Sequence, residues 1–346
     1  MRAISFGNLI VNKRPIDHAR DAAISMNIGD DGDSSPLREI ISATGRLLII
    51  KERGIWQIKL ADDVDPDRTN PDIPHSQQKL LPRGTLDPLV CRTLLQAKRL
   101  LNSDYLPNTC DTDAGLQASL TFLHEVSALQ DKADEFKGLT ARLSETFDAT
   151  SPRGEGLNIP AMSDVEARGK AFIQTADHAV RSLWQLVRAL EPDLPARVSW
   201  SRFRARLEEG DDRSRQVVSV VEQLLIGFTF LRNTRNAVEH PKPGQEVVFE
   251  DYRLKADGYV HPPAITVIEV DTPLSETELG AYFGWVITFL VNAFEAVLVN
   301  LCAVHVELVG GFEVVVTKLE PDQRRYPDVA YCYASWMGNE LVLHLE

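Results

Sequence analysis

A long apolar segment near the end of the chain constrains the fold more than any other feature. From Gly280 to Leu308 the residues are mostly aliphatic or aromatic, and the segment is long enough to cross a lipid bilayer as a helix. Asn292, Glu295 and Asn300 interrupt it, and polar side chains are costly inside a membrane. We therefore expect no membrane insertion. The pattern predicts a helix that is fully buried in a bundle or lies at a dimer interface.

Apolar residues at three- and four-residue steps predict further helices in the rest of the chain. The predicted helical segments are 87–101, 115–147 as one long helix or two in tandem, a helix opened by a capping box at Ser163–Glu166, a short arginine-rich helix after Pro195, and a helix over Asp212–Glu239. A second capping box, at Ser275–Glu278, is predicted to start the apolar helix. These segments give the second half of the chain the pattern of a helical bundle.

Strand patterns occur on both sides of these helices. Residues 46–51 and 55–60 flank a glycine turn and predict a β-hairpin, and 246–252 with 265–270 predict a β insertion over 245–271. Three alternating runs after Phe312 predict a β-meander. A serine-, proline- and glycine-rich stretch at 149–160 is the best candidate for a linker.

From these elements we predict a mainly α fold in three regions. Residues 1–150 form an N-terminal α/β region with a regulatory or recognition role, 151–310 form a helical bundle with the β insertion, and 311–346 form the meander. The N-terminus lacks the pattern of a secretion signal, so we expect a cytoplasmic protein.

The charge distribution restricts where a polyanion could bind. Lysine and arginine number 37 against 50 acidic residues, which gives a formal net charge of −13. The whole molecule therefore repels nucleic acid, and any contact with RNA must be local. Residues 196–242 are the locally basic exception, although such a run is also typical of a solvated helix surface with internal ion pairs.

The candidate functional motif lies at the end of the predicted helix 212–239. Arg235 and Asn236 are followed by His240 and Pro241. A residue before proline is disfavoured in the α conformation, so His240 should lie at or just past the last helical turn, free to approach Arg235. Arginine grips phosphate oxygens in a fixed fork, and histidine transfers protons near neutral pH.

An arginine, four residues beginning with a polar one, and then a histidine resemble the catalytic motif of the HEPN superfamily (higher eukaryotes and prokaryotes nucleotide-binding). The resemblance covers about residues 155–308. It implies a HEPN-like helical bundle, a homodimer, and a metal-independent endoribonuclease of a toxin, stress-response or antiviral defence system, with a possible antitoxin or defence-system partner. It also implies that two Arg235–His240 pairs meet across a two-fold axis.

Within that mechanism Arg235 would stabilise the phosphorane oxygens, His240 would transfer a proton, and Asn236 would orient the phosphate or the histidine. Arg232, Asn233 and Lys242 are candidate substrate-binding residues. Family members that receive nucleotides from a partner transferase carry a tyrosine where this chain has Lys242, which disfavours that branch. In the structural alternative, Arg235 pairs with Glu239 on the same helix face and His240 only caps the helix.

Other chemistries find little support in the sequence. Cys91, Cys110, Cys302 and Cys332 form no CxxC pair, and the histidines lack metal-ligand spacing, so we expect no metal and no cofactor. No nucleophile-elbow serine, phosphate-binding glycine loop or dinucleotide fingerprint occurs. The remaining alternatives to the endoribonuclease are a noncatalytic nucleotide- or RNA-binding module and an interaction scaffold.

Overall fold

The computed structural model describes residues 13–22, 27–29, 34–43, 45–150, 157–338 and 340–345. It divides into two compact units, Met1–Asp87 and Pro88–Glu346. The division lies well before residue 150, so the long helix that follows residue 111 belongs to the second unit.

The first unit is built around a four-stranded antiparallel sheet in the order β1-β2-β3-β4. Its elements are α1 (Pro15–Arg20), β1 (Leu37–Ala43), β2 (Arg46–Lys51), β3 (Ile55–Lys59), α2 (Ala61–Val64) and β4 (Ser76–Leu81). The predicted hairpin is confirmed, because Ile49 pairs with Trp56 and Ile50 with Ile55. Ile49, Trp56 and Ile58 form a buried cluster on this sheet.

The second unit begins with a helix that has one π-helical turn at Cys91–Leu95, between α3 (Pro88–Val90) and α4 (Gln96–Leu100). Its long helices are α5 (Thr112–Thr150), α6 (Val165–Leu190), α7 (Trp200–Glu209), α8 (Asp212–Glu239) and, after the β insertion, α9 (Leu279–His305). The predicted helices over 115–147 and 212–239 are confirmed.

The strands of the second unit form three small sheets. They are β5 (Glu246–Glu250), β6 (Arg253–Leu254), β7 (Val260–His261), β8 (Ala264–Ile268), β9 (Leu274–Glu278), β10 (Val314–Lys318), β11 (Tyr331–Met337) and β12 (Glu340–Leu343). The insertion pairs β5-β8-β9 and β6-β7, and the C-terminal meander pairs β10-β11-β12. A single 3₁₀ turn, Pro321–Gln323, lies between β10 and β11.

The prediction of a mainly α, HEPN-like helical bundle is wrong. Helices account for 49% and strands for 20% of the chain, and the strands form four sheets, so the fold is mixed α/β. The long amphipathic helices dominate the sequence pattern because their periodicity extends over many turns. The strands are only two to seven residues long, too short for the sequence to show how many of them pair.

Both predicted capping boxes are also wrong. α6 begins at Val165 after Asp164, whose side chain makes no capping hydrogen bond. Ser275–Glu278 belongs to β9, where Thr277 pairs with Ile265, so pairing with β8 keeps that segment extended until α9 begins at Leu279. Of the predicted linker 149–160, residues 149 and 150 end α5, and 151–156 lie outside the described residues.

α9 is the central helix of the second unit and contacts α4, α5, α6 and α8. It is the one helix of the described chain that is apolar and long enough to cross a membrane, with a mean hydropathy of 1.9 in its most apolar window. More than half of that window, 56%, is buried by the rest of the fold. α9 is therefore packed mostly inside the second unit, as a core helix is.

Gln96 on α4 joins the C-terminal meander to the helices. Its Oε1 accepts from the backbone N–H groups of Ala330 at 2.9 Å and Tyr331 at 3.0 Å, and its Nε2 donates to the carbonyl of Tyr331 at 3.0 Å. Gln96 is fully buried, so water cannot replace these bonds. The amide therefore fixes the start of β11 against α4.

We predict that Gln96→Leu lowers the free energy of unfolding by about 3 kcal/mol, because it leaves three backbone groups, one buried and two part-buried, without partners. Urea denaturation followed by circular dichroism measures the change. Gln174→Leu, at an exposed position of α6, is the matched control and should change stability by less than about 0.5 kcal/mol. Equal stability of the two variants would contradict the role of Gln96.

Candidate functional site

The motif residues lie on the last two turns of α8, whose start is well defined. The Asp211 carboxylate accepts from the backbone N–H of Ser214 at 2.9 Å and from its hydroxyl at 2.8 Å. The backbone hydrogen bond is the main reason that the pKa of Asp211 is lowered. At the other end, α8 stops at His240 because Pro241 follows.

Helical geometry divides the predicted site residues between two faces. Arg232, Arg235 and Asn236 are spaced i, i+3 and i+4, and all three line one groove. Asn233 points elsewhere and donates to the hydroxyl of Thr272 at 3.2 Å in the turn before β9. The structure therefore brings three of the six predicted residues together in the groove.

Asn233 has a structural role at that turn. The carboxylate of Glu269 accepts from the backbone N–H of Thr272 at 2.7 Å and of Asp271 at 2.8 Å. Desolvation raises the pKa of Glu269, but the hydrogen bonds from Thr272 and Asp271 outweigh it and lower the pKa overall. Through Thr272, Asn233 fastens α8 to this ordered turn.

We name the groove beside α8 the arginine groove. It has a volume of about 840 Å³ and lies between α6, the segment 196–201 and α8. Its polar and charged lining residues are Asp177, Arg181, Gln185, Arg197, Ser199, Ser201, Thr229, Arg232, Arg235 and Asn236. Among the described lining residues, four are arginines and one is acidic, so the groove is locally positive in an acidic chain.

The four arginines differ in their partners. Arg181 pairs with Asp177 at 2.6 Å, and Arg235 pairs closely with Glu239 and lies 3.9 Å from Asp177. Arg197 and Arg232 are exposed and form no ion pair with any carboxylate in the described ranges. These two guanidinium groups are the charges most readily offered to an anion.

His240 lies at the C-terminal end of α8, as the proline predicted. Its backbone N–H donates to the carbonyl of Asn236 at 2.8 Å, and its φ of −135° is no longer helical. The side chain is exposed and does not line the arginine groove. The ion pair between Arg235 and Glu239, predicted as the structural alternative, is present.

Lys242 lies beyond the groove as well. Its backbone N–H donates to the carbonyl of Gln245 at 2.9 Å, and Gln245 donates back at 2.8 Å, which closes a tight turn. Gly244 in this turn has a φ of +77°, which glycine adopts without strain. The Lys242 side chain is exposed and does not line the arginine groove.

Sequence reasoning did not identify the aromatic floor of the groove. Trp200 stacks on Phe228 with ring centroids 4.2 Å apart and meets Trp184 edge-on at 5.2 Å. The indole N–H of Trp184 donates to the carbonyl of Pro195 at 3.1 Å, which holds the segment 196–201 against α6. Trp200 is only 7% exposed, so it supports the groove and offers little surface for base stacking.

Arg181 and Arg197 were also missed as site residues. Arg181 lies on α6, and Arg197 lies between α6 and α7. The signal in the sequence for Arg197 was the local excess of arginine after residue 196, and Arg181 lies outside that stretch. How close they come to α8 depends on the packing of α6 against α8. No local pattern in the sequence predicts that packing.

In the described ranges, no group of three or more His, Cys, Asp or Glu side chains comes together as it would around a metal ion. The four cysteines are buried free thiols, and burial raises the pKa of Cys110 to about 11. The groove itself offers guanidinium, amide and hydroxyl donors, which suit an anion.

Comparison of this chain with protein-family models, with curated proteins and with solved structures finds no match.

The two faces of α8 yield a stability prediction. Arg232→Ala should leave the free energy of unfolding within about 0.5 kcal/mol, because Arg232 is exposed and lacks an ion pair in the described chain. Asn233→Ala should lower it by about 1 kcal/mol through loss of the bond to Thr272. Chemical denaturation measures both, and the reverse order would contradict the assignment of the two faces.

Proposed function

We propose that the arginine groove binds single-stranded RNA through its phosphates and that Arg235 and His240 cleave it without a metal ion. The observation that carries the proposal is the convergence of Arg181, Arg197, Arg232 and Arg235 on one groove. The mixed α/β fold is compatible with this function, because the groove is formed by α8 and the residues packed around it.

One chain offers candidates for two of the three roles in the cleavage reaction, and the His240 of a second copy would take the remaining proton transfer. A base must remove the proton of the 2′-hydroxyl, donors must stabilise the phosphorane oxygens, and an acid must protonate the 5′-oxygen. The guanidinium of Arg235 provides the donors, and His240 transfers a proton. Asn236, whose Oδ1 accepts from Arg235 at 3.3 Å, orients the guanidinium.

Arg235 can exchange its partner Glu239 for a phosphate. The side chains of Arg235 and Glu239 are 26% and 25% exposed, so both reach solvent. A guanidinium binds a phosphate in the same bidentate way as it binds a carboxylate. A phosphodiester in the groove can therefore compete with Glu239 for Arg235.

A noncatalytic RNA-binding module is the second candidate. The exposed position of His240 outside the groove lining and the closed Arg235–Glu239 pair favour it. Both candidates require the same groove and differ only in whether His240 reacts. A cytoplasmic location and a toxin-type or defence role with an antitoxin or other defence partner belong to the first candidate and remain part of this proposal.

We predict that the purified protein cleaves single-stranded RNA in EDTA and leaves 2′,3′-cyclic phosphate ends. His240→Ala and Arg235→Ala should each reduce the rate by about 100-fold or more, since each removes a group that acts in the transition state. The readout is gel electrophoresis of end-labelled RNA with analysis of the product ends. Strict dependence on a divalent ion would contradict the mechanism.

The control is His178→Ala, which replaces an exposed histidine of α6 that does not line the groove. It should cleave at the wild-type rate. RNA binding separates the two candidates: if wild type binds RNA without cleaving it, and Arg197→Ala and Arg232→Ala weaken binding, the noncatalytic module is correct. Because the contacts are to phosphates, binding should also weaken steeply with salt.

A homodimer is part of the proposal because one histidine cannot readily act at both ends of the reaction. An exposed apolar patch on α8 and α9 supports it: Ile226 is 73% and Trp285 46% exposed, next to Phe230 and Phe289. Contiguous exposed aromatic and aliphatic side chains are typical of protein interfaces. A two-fold axis at this patch would bring two copies of α8 together along the face opposite Arg235, because Ile226 and Arg235 are nine residues apart on the helix.

We predict that wild type is a dimer at micromolar concentration and that Ile226→Asp is a monomer, because a charge in the patch opposes its burial. Sedimentation equilibrium measures the mass of each. Val270→Asp, at a position that is exposed but outside the patch, should remain a dimer. A monomeric wild type with full cleavage activity would show that the dimer is not needed.

A further inference from the structure

A second polar cavity lies in the second unit, outside the lining of the arginine groove. It has a volume of about 100 Å³ and is lined by Arg99, Asn102, Tyr105, Tyr333, His344 and Leu345. We name it the C-terminal cavity. One water molecule needs a cavity volume on the order of 15 Å³, so this cavity has room for an ion of several heavy atoms.

Two of its residues carry unused hydrogen-bond donors. The Nε of Arg99 is shielded from solvent and has no hydrogen-bond partner, and Arg99 forms no ion pair in the described chain. The side-chain oxygen of Asn102 accepts from the backbone N–H of Asp104 at 2.9 Å, which leaves the amide NH₂ as a donor. A buried N–H without an acceptor is unfavourable, so an anion that accepts from the Nε of Arg99 would be stabilising.

The opposite wall is held in place by a chain of hydrogen bonds. One ring nitrogen of His344 lies 2.9 Å from the hydroxyl of Ser335, and the other lies 2.8 Å from the hydroxyl of Tyr105. The Tyr105 ring stacks on Tyr333 with centroids 4.3 Å apart. Both ring nitrogens of His344 are therefore engaged, and the imidazole is fixed.

This chain of residues is not arranged as a hydrolase site. Ser335 is buried and does not line the cavity, so its hydroxyl is not presented to a substrate. Its contact with His344 fixes the ring, and the groups that face a ligand are the donors of Arg99 and Asn102. The chemistry of the cavity is anion binding.

The cavity walls come from separate elements. Arg99 is on α4 and Asn102 just follows it, Tyr333 is on β11, and His344 and Leu345 follow β12. The Tyr333 hydroxyl donates to the carbonyl of Leu100 at 2.7 Å, which sets the distance between the meander and α4. A ligand bound to Arg99 would therefore add a link between the meander and the helices.

We propose that the C-terminal cavity binds a small oxyanion, of the size and chemistry of inorganic phosphate or a carboxylate. The site is independent of the arginine groove and of the proposed ribonuclease activity. Among the described residues, no acidic side chain lines the cavity, so no lining carboxylate competes with the ligand for Arg99. A guanidinium and an amide match the oxygens of either anion.

The test is titration of the full chain with inorganic phosphate and, separately, with acetate, each against chloride at equal ionic strength. Isothermal titration calorimetry gives the affinity, and the melting temperature should rise with the concentration of the anion that binds. Comparison of the two anions shows whether phosphate or carboxylate is preferred. If neither binds to wild type, the proposal is wrong.

Variants assign the binding to this cavity. Arg99→Gln should weaken it by about tenfold or more, since it removes the charged donor, and Asn102→Ala should weaken it less. Arg202→Gln, at an exposed position of α7, is the matched control and should bind as wild type. Circular dichroism verifies that each variant folds. If Arg99→Gln does not fold, Asn102→Ala serves as the test.

Arg232→Ala distinguishes this cavity from the arginine groove. If Arg99→Gln loses anion binding and Arg232→Ala keeps it, the anion binds in the C-terminal cavity. The opposite pattern overturns the proposal, because it assigns the anion to the groove. RNA cleavage does not enter this test, so the two proposals fail separately.

Discussion

The fold of the second unit depends on the burial of α9. This helix is apolar around most of its circumference, and removing that surface from water is the dominant favourable term available. α5, α6 and α8 pack around it, and Phe122, Phe172 and Phe283 contribute stacked ring pairs to the core. The two anion sites proposed above are formed by elements whose positions follow from this packing.

The contact between α8 and α9 illustrates this dependence. A Cβ atom on Gly227 would lie 2.2 Å from the Phe289 ring, so a larger residue here would force the ring or the helix to move. The approach of α8 to α9 turns the Arg232, Arg235 and Asn236 face of α8 toward α6, where Arg181 and Asp177 complete one wall of the groove. A substitution at Gly227 would therefore displace the site although Gly227 does not line it.

The charge pattern has the same origin. The chain is acidic overall, with a net charge of −13, and the arginines of the groove are scattered over residues 181–235. Packing of the helices brings these arginines together in the groove, while most carboxylates lie outside it. The regulatory role predicted for residues 1–150 must also be divided at Asp87, because α5 is part of the core of the second unit and could not be removed without exposing it.

The sequence by itself determined the local elements: α8 with its stop at His240, the hairpin at 46–60, the C-terminal meander and the apolar α9. These follow from periodicity, a proline and glycine turns, which act over a few residues. Tertiary structure decided the strand pairing and the grouping of the site residues, which local patterns do not encode. Pairing with β8 made Ser275–Glu278 a strand, and packing of α6 and 196–201 against α8 placed Arg181 and Arg197 beside Arg235 and left His240 outside the groove. The physical reason is that these outcomes depend on contacts between residues far apart in the chain.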